Sequence, residues 1–98
     1  MKIVAVTACP TGIAHTYMAA EQLEKTAKKL GHSIKVETQG AMGIENELSP
    51  ADIDSAQAVI FATDIAIEGQ DRFSRLRKIE VPIQAALKDP AAVFAKLQ

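Results

Sequence analysis

The chain has 98 residues, with 11 Lys and Arg against 12 Asp and Glu and a net charge of −1. It therefore has room for one hydrophobic core and not two, and it carries no global basic field that would point to nucleic acid. Hydrophobic residues make up 48% and charged residues 23%, an ordinary globular mix in which no stretch nears the roughly 20 apolar residues that span a bilayer.

Lys2 to Thr7 (KIVAVT) is β-branched and almost continuously apolar, the pattern of a central parallel strand covered on both faces. No signal-peptide architecture follows it. Ala8 to Gly12 (ACPTG) sets Pro close to Gly and reads as a turn. A helix is expected from about Ile13 to Leu30, with Ile13, Tyr17, Ala20, Leu23, Ala27 and Leu30 on one apolar stripe and Met18 also in the core. Lys28 and Lys29 complement its C-terminal dipole, Gly31 follows as the C′ residue, and His32 is read as a surface residue.

Ser33 to Thr38 alternates and reads as a second strand, with Ile34 and Val36 on one face. Gln39 to Glu47 is expected to be a loop beside the first turn, and Gln39, Gly40, Met42 and Gly43 are candidates for partner contact. Ser49-Pro50 opens a short helix through about Ala56. Ala58 to Thr63 (AVIFAT) is a third buried strand, and Asp64 after it reads as a turn former. Asp64 to Ser74 holds a loop with a short helix. Lys78 to Ile83 is a weaker strand, placed at a sheet edge by Pro82. Ile83 to Leu87 forms a helical turn, and Asp89-Pro90 starts a last helix whose Val93, Phe94 and Leu97 pack inward. Arg72, Arg75, Arg77 and Lys78 form the only basic cluster and read as a solvated face. The alternation of strands and helices implies an α/β fold: one domain with an open, Rossmann-like parallel sheet and helices on both faces.

Open α/β sheets bind ligands beyond the carboxyl ends of their strands. Cys9, the one cysteine, stands just past the first strand, on the turn into the first helix. With no second thiol there is neither an intramolecular disulfide nor a zinc site built on several thiolates, and a lone thiol fits a reducing compartment. A helix N-terminus with its backbone N–H groups makes an anion cradle, and the same field favours thiolate over thiol. Gly12 lets backbone close around a tetrahedral anion, while Pro10 moves the donors further along the loop. The plain alternative is a buried, inert cysteine at a strand end. Thr11 and Thr16 either donate hydroxyls to such an anion or cap the helix, and His15 either approaches it or packs without touching it.

The run CPTGIAHTYMAAE from Cys9 to Glu21 resembles the signature of the fructose-type enzyme IIB domains of the bacterial sugar phosphotransferase system. Val36 to Gly43 (VETQGAMG) and Ala58 to Gly69 (AVIFATDIAIEG) extend the likeness, and beyond Arg72 only the general character matches. The resemblance implies that residues 1–98 are one such domain with a four-stranded parallel sheet, working as a phosphotransferase without cofactor or metal. It implies a phosphocysteine at Cys9, with Pro10, Thr11, Gly12, Ile13, Ala14, His15 and Thr16 as the phosphate loop. Phosphate would arrive from a phosphohistidine on a IIA partner and leave to fructose or a similar sugar held by a membrane IIC partner. The chain itself would stay at the cytoplasmic face without entering the membrane. The rival is a low-molecular-weight phosphatase, which needs an arginine six residues after its cysteine to clamp phosphate with two parallel bonds. That place holds His15, which cannot reproduce the clamp.

Overall fold

The computed structural model describes residues 1–9, 13–40 and 43–97. In chain order they form β1 (Lys2–Ala8), α1 (Ile13–Lys29), β2 (Ser33–Gly40), β3 (Gly43–Glu45), α2 (Pro50–Ser55) and β4 (Ala58–Thr63). A 3-10 turn (Gln70–Phe73), β5 (Arg77–Val81), α3 (Ile83–Lys88) and α4 (Pro90–Ala95) follow. Among the described residues the strands make one five-stranded sheet, ordered β3-β2-β1-β4-β5. β1, β2, β4 and β5 are parallel, as the alternating pattern requires.

β1 is apolar throughout because it feeds two cores. Ile3 and Ala5 face Ala19, Leu23 and Ala27 of α1, together with Ile83 of α3 and Val93 and Phe94 of α4. Val4 and Val6 face the opposite way, against Ile53 of α2, Phe61 of β4 and Phe73. There Phe61 and Phe73 meet edge to face, with ring centroids 5.4 Å apart. Helices thus cover both faces of the sheet, and apolar burial on each side is the main stabilising term.

Local signals account for the element ends. Gly31 has φ +79°, and the N–H groups of Gly31 and His32 reach back to the carbonyls of Lys28 and Ala27. This is the Schellman closure that glycine favours. Ser49 caps α2 in a reciprocal box: Asp52 N–H donates to Ser49 Oγ, and Ser49 N–H donates to the Asp52 carboxylate. Asp89 caps α4 by accepting from Ala92 N–H, so the Asp-Pro pair has a helix-cap role.

Several expectations fail here. The inward face of α1 is formed by Thr16, Ala19, Ala20, Leu23 and Ala27, all buried. Tyr17, Met18 and Leu30 are instead 40%, 53% and 49% exposed. Small alanines let the helix sit close to the sheet, which turns the larger side chains one step off the contact line. Tyr17 hydroxyl donates to the Glu45 carboxylate on β3. His32 is partly buried rather than on the surface, with its ring stacked on Phe94 at 5.9 Å. The expected loop at Gln39–Glu47 contains the end of β2 and the antiparallel β3, with Gln39 opposite Ile44. A three-residue, fully exposed edge strand has no alternation by which to recognise it. Met42 lies outside the described residues.

Candidate functional site

Because β1, β2 and β4 run parallel, their carboxyl ends share one edge of the sheet. Ala8, the last residue of β1, pairs with Gln39 and with Thr63. Cys9 follows directly and is level with Gly40 and Asp64. It is 6% exposed and lines a groove of about 470 Å³. One wall is Gln39, Gly40 and Ile44 from β2 and β3. The other is Ile65, Ala66 and Glu68 from the segment after β4.

Pro10, Thr11 and Gly12 lie outside the described residues. Of the remaining expected loop residues, Ile13 begins α1, Ala14 and His15 are exposed, and Thr16 is 1% exposed. Thr7 hydroxyl donates to Thr16 carbonyl at 3.1 Å, fastening the end of β1 to the first turn of α1. Thr16 Oγ1 sits 3.8 Å from where a side chain on Gly40 would begin, so the helix start, β1 and β2 converge beside Cys9. The positive end of α1 opens four residues after the thiol. Thr16, the fourth residue of α1, is inside the helix rather than its cap.

Asp64 is occupied elsewhere. Its carboxylate accepts from Ile83 N–H at 3.1 Å, at the start of α3, and its own N–H donates to Ala8 carbonyl.

Of the basic cluster, Arg75, Arg77 and Lys78 are exposed as expected, and Arg72 is the exception. Arg72 binds Glu37 through both terminal nitrogens, each at 3.0 Å. Arg75 pairs with Asp54, Arg77 donates to the carbonyls of Lys96 and Leu97, and Lys78 donates to those of Ser74 and Leu76. Glu37 is wholly buried. Besides Arg72 it receives Leu48 N–H at 3.0 Å and the Gln39 amide at 2.7 Å. Burial pushes its carboxyl pKa up, but the Arg72, Leu48 and Gln39 hydrogen bonds outweigh this and hold it below the usual glutamate value. The same contact raises the Arg72 pKa. Sequence reading missed Glu37 altogether. Alternation in β2 marks it as the side opposite Ile34 and Val36, and nothing local says that this side is also covered.

An open α/β sheet with a buried thiol at its carboxyl edge, four residues ahead of a helix N-terminus, has its groove where folds of this class bind ligands. Residues 4–96 match the family described as PTS system, Lactose/Cellobiose specific IIB subunit. The chain is 50% identical over 97 residues to the PTS system fructose-like EIIB component 2 of Escherichia coli (strain K12), covering 99% of this chain and 92% of that protein. It is also 50% identical over 92 residues to the PTS system 2-O-alpha-mannosyl-D-glycerate-specific EIIABC component of the same strain, covering 94% of this chain and 14% of that longer one. The crystal structure of a domain from the fructose-specific IIABC component of Borrelia burgdorferi superposes with a TM-score of 0.93 at 47% identity, covering 97% of this chain and 90% of that one. The chain belongs to the IIB family of the sugar phosphotransferase system, and it is a phosphotransferase domain of the fructose type. Among the described residues no helix is long and apolar enough to cross a membrane.

Proposed function

We propose that residues 1–98 act as one IIB domain in which Cys9 carries a phosphoryl group from a IIA phosphohistidine to a sugar held by a IIC membrane partner, at the cytoplasmic face. The observation that carries this reading is the position of Cys9: the chain's only thiol lies at the carboxyl edge of β1, in a groove four residues ahead of the α1 N-terminus.

The chemistry follows from that position. Cys9 sulfur attacks phosphorus in line with the departing histidine nitrogen. The S–P bond forms as the P–N bond breaks, and the thiol proton ends on the released imidazole. Backbone N–H groups in the first turn of α1 and the α1 dipole hold the phosphoryl oxygens, so the protein contributes positioning and electrostatics. In the second step a sugar hydroxyl attacks phosphorus, the S–P bond breaks, and the hydroxyl proton balances the thiolate. His15 in place of the phosphatase arginine supports a carrier over a hydrolase. Fused EIIABC relatives support partners of the IIA and IIC kinds. The sugar is set by the IIC partner, since IIB regions equally similar to this chain occur in proteins named for fructose-like and mannosylglycerate systems.

The test is in vitro phosphoryl transfer from a phosphorylated IIA protein, read by intact-mass spectrometry. One added phosphoryl group, absent from Cys9→Ala, is the expected result. Steady release of inorganic phosphate from an aryl phosphate without an adduct would favour the phosphatase, and neither result would leave a binding module.

A further inference from the structure

The wall of the groove opposite β2 has no regular structure. The 64–69 segment runs from the end of β4 to the 3-10 turn, yet its polar backbone is satisfied by side chains from elsewhere. Gln39 Oε1 accepts from Glu68 N–H at 2.9 Å, and Gln39 Nε2 donates to Glu68 carbonyl at 3.0 Å. Arg72 Nε donates to Gly69 carbonyl at 2.7 Å. The same Gln39 amide donates to Glu37 at 2.7 Å, and Glu37 is the carboxylate that Arg72 holds with two bonds. One buried charge thus orients both side chains that fix the wall.

Resting on the carrier reading above, we propose that Gln39, Glu37 and Arg72 are positioning residues for phosphoryl transfer. All three have their polar side-chain atoms bonded to one another, to Leu48 or to the 64–69 segment. They hold Ile65, Ala66 and Glu68 at the distance from Cys9 that the incoming phosphohistidine requires. Placement matters steeply in such reactions, since about 1 Å of error can cost on the order of a hundred-fold in rate. Gln39 carries most of the load because its amide is a two-bond clasp between β2, which ends level with Cys9, and the far wall. Methionine, of equal length with no donor and only a weak thioether acceptor, fills the same space and releases the clasp.

The test is Gln39→Met in the full chain, with single-turnover transfer from phosphorylated IIA and amide hydrogen exchange at Glu68. The expected result is a rate constant at saturating IIA lowered on the order of ten-fold, full adduct amplitude, and faster exchange at Glu68. Amplitude separates misplacement from unfolding, which would remove molecules without slowing those that remain. Arg75→Ala, which breaks a surface pair away from the groove, is the control and keeps the wild-type rate. A wild-type rate in Gln39→Met overturns the proposal. If the wild-type protein takes no phosphoryl group, the carrier reading falls by itself. Glu68 exchange still decides the clasp: unchanged exchange in Gln39→Met overturns it, and faster exchange upholds it.

Discussion

Thr7 and Thr16 are joined across residues 10–12 by a buried hydrogen bond, hydroxyl to carbonyl, at 3.1 Å. It ties the strand that ends beside Cys9 to the first turn of α1. Thr7→Val keeps the shape and removes the donor. The expected loss is about 1 kcal/mol of stability, the usual worth of one neutral hydrogen bond, together with a slower transfer rate. Urea unfolding and single-turnover transfer measure the two. Unchanged values for both would mean that the bond does not register β1 against α1.

Acid should weaken the fold through Glu37. Its folded pKa lies below the unfolded value near 4.5, so its contribution is fully present above that value and is lost as pH falls through the folded pKa. Glu37→Gln leaves the Arg72 guanidinium with a neutral partner. The variant should be weaker by on the order of 2 kcal/mol near neutral pH. The gap to wild type should narrow as pH falls from the unfolded value near 4.5 through the lower folded pKa, because only the wild type has this proton to take up. Asp52, whose carboxyl is also held low, chiefly by Lys35 and then by Ser49, titrates in both proteins and cancels in the comparison. Urea midpoints across that range decide it, and a constant gap would contradict the assignment.

Stability and transfer should come apart at Ser49. Ser49→Ala removes one half of the α2 capping box and should cost about 1 kcal/mol. The box lies away from the groove, so the transfer rate at saturating IIA should not change. A rate loss in this variant would mean that general loosening, and not the wall beside Cys9, governs transfer.

What was legible in the chain was local. The apolar run of β1, the Ser49 and Asp89 caps and the Gly31 terminator each declare themselves within a few residues, and each stands in the structure. The phase of α1 was misjudged because its inward face is largely alanine, so the larger Tyr17 and Met18 drew the stripe toward themselves. Cys9 at the sheet edge followed from strand order. The Glu37–Arg72 pair did not, because its partners are 35 residues apart and meet only once β2 and the segment after β4 have been folded together. Arg72 therefore read as one more charge in a run. Its place in the site depends on a tertiary contact that no spacing encodes.

Two glycines separate backbone strain from the packing of Arg72. Gly31 and Gly69 have φ values of +79° and +70°, so alanine at either should cost about 1 kcal/mol of left-handed strain. A side chain at Gly31 would meet nothing within 4 Å, whereas one at Gly69 would stand 2.5 Å from Arg72 Nε and 3.0 Å from its Cζ. Gly69→Ala must therefore also shift the Arg72 side chain, which holds Glu37 and the Gly69 carbonyl. Gly31→Ala should show the strain alone, with wild-type transfer. Gly69→Ala should be destabilised further and should slow transfer in the same direction as Gln39→Met, since both release the wall. Equal unfolding midpoints for the two alanine variants would show that Arg72 yields without cost, and its grip on Glu37 would then have no part in holding the wall beside Cys9.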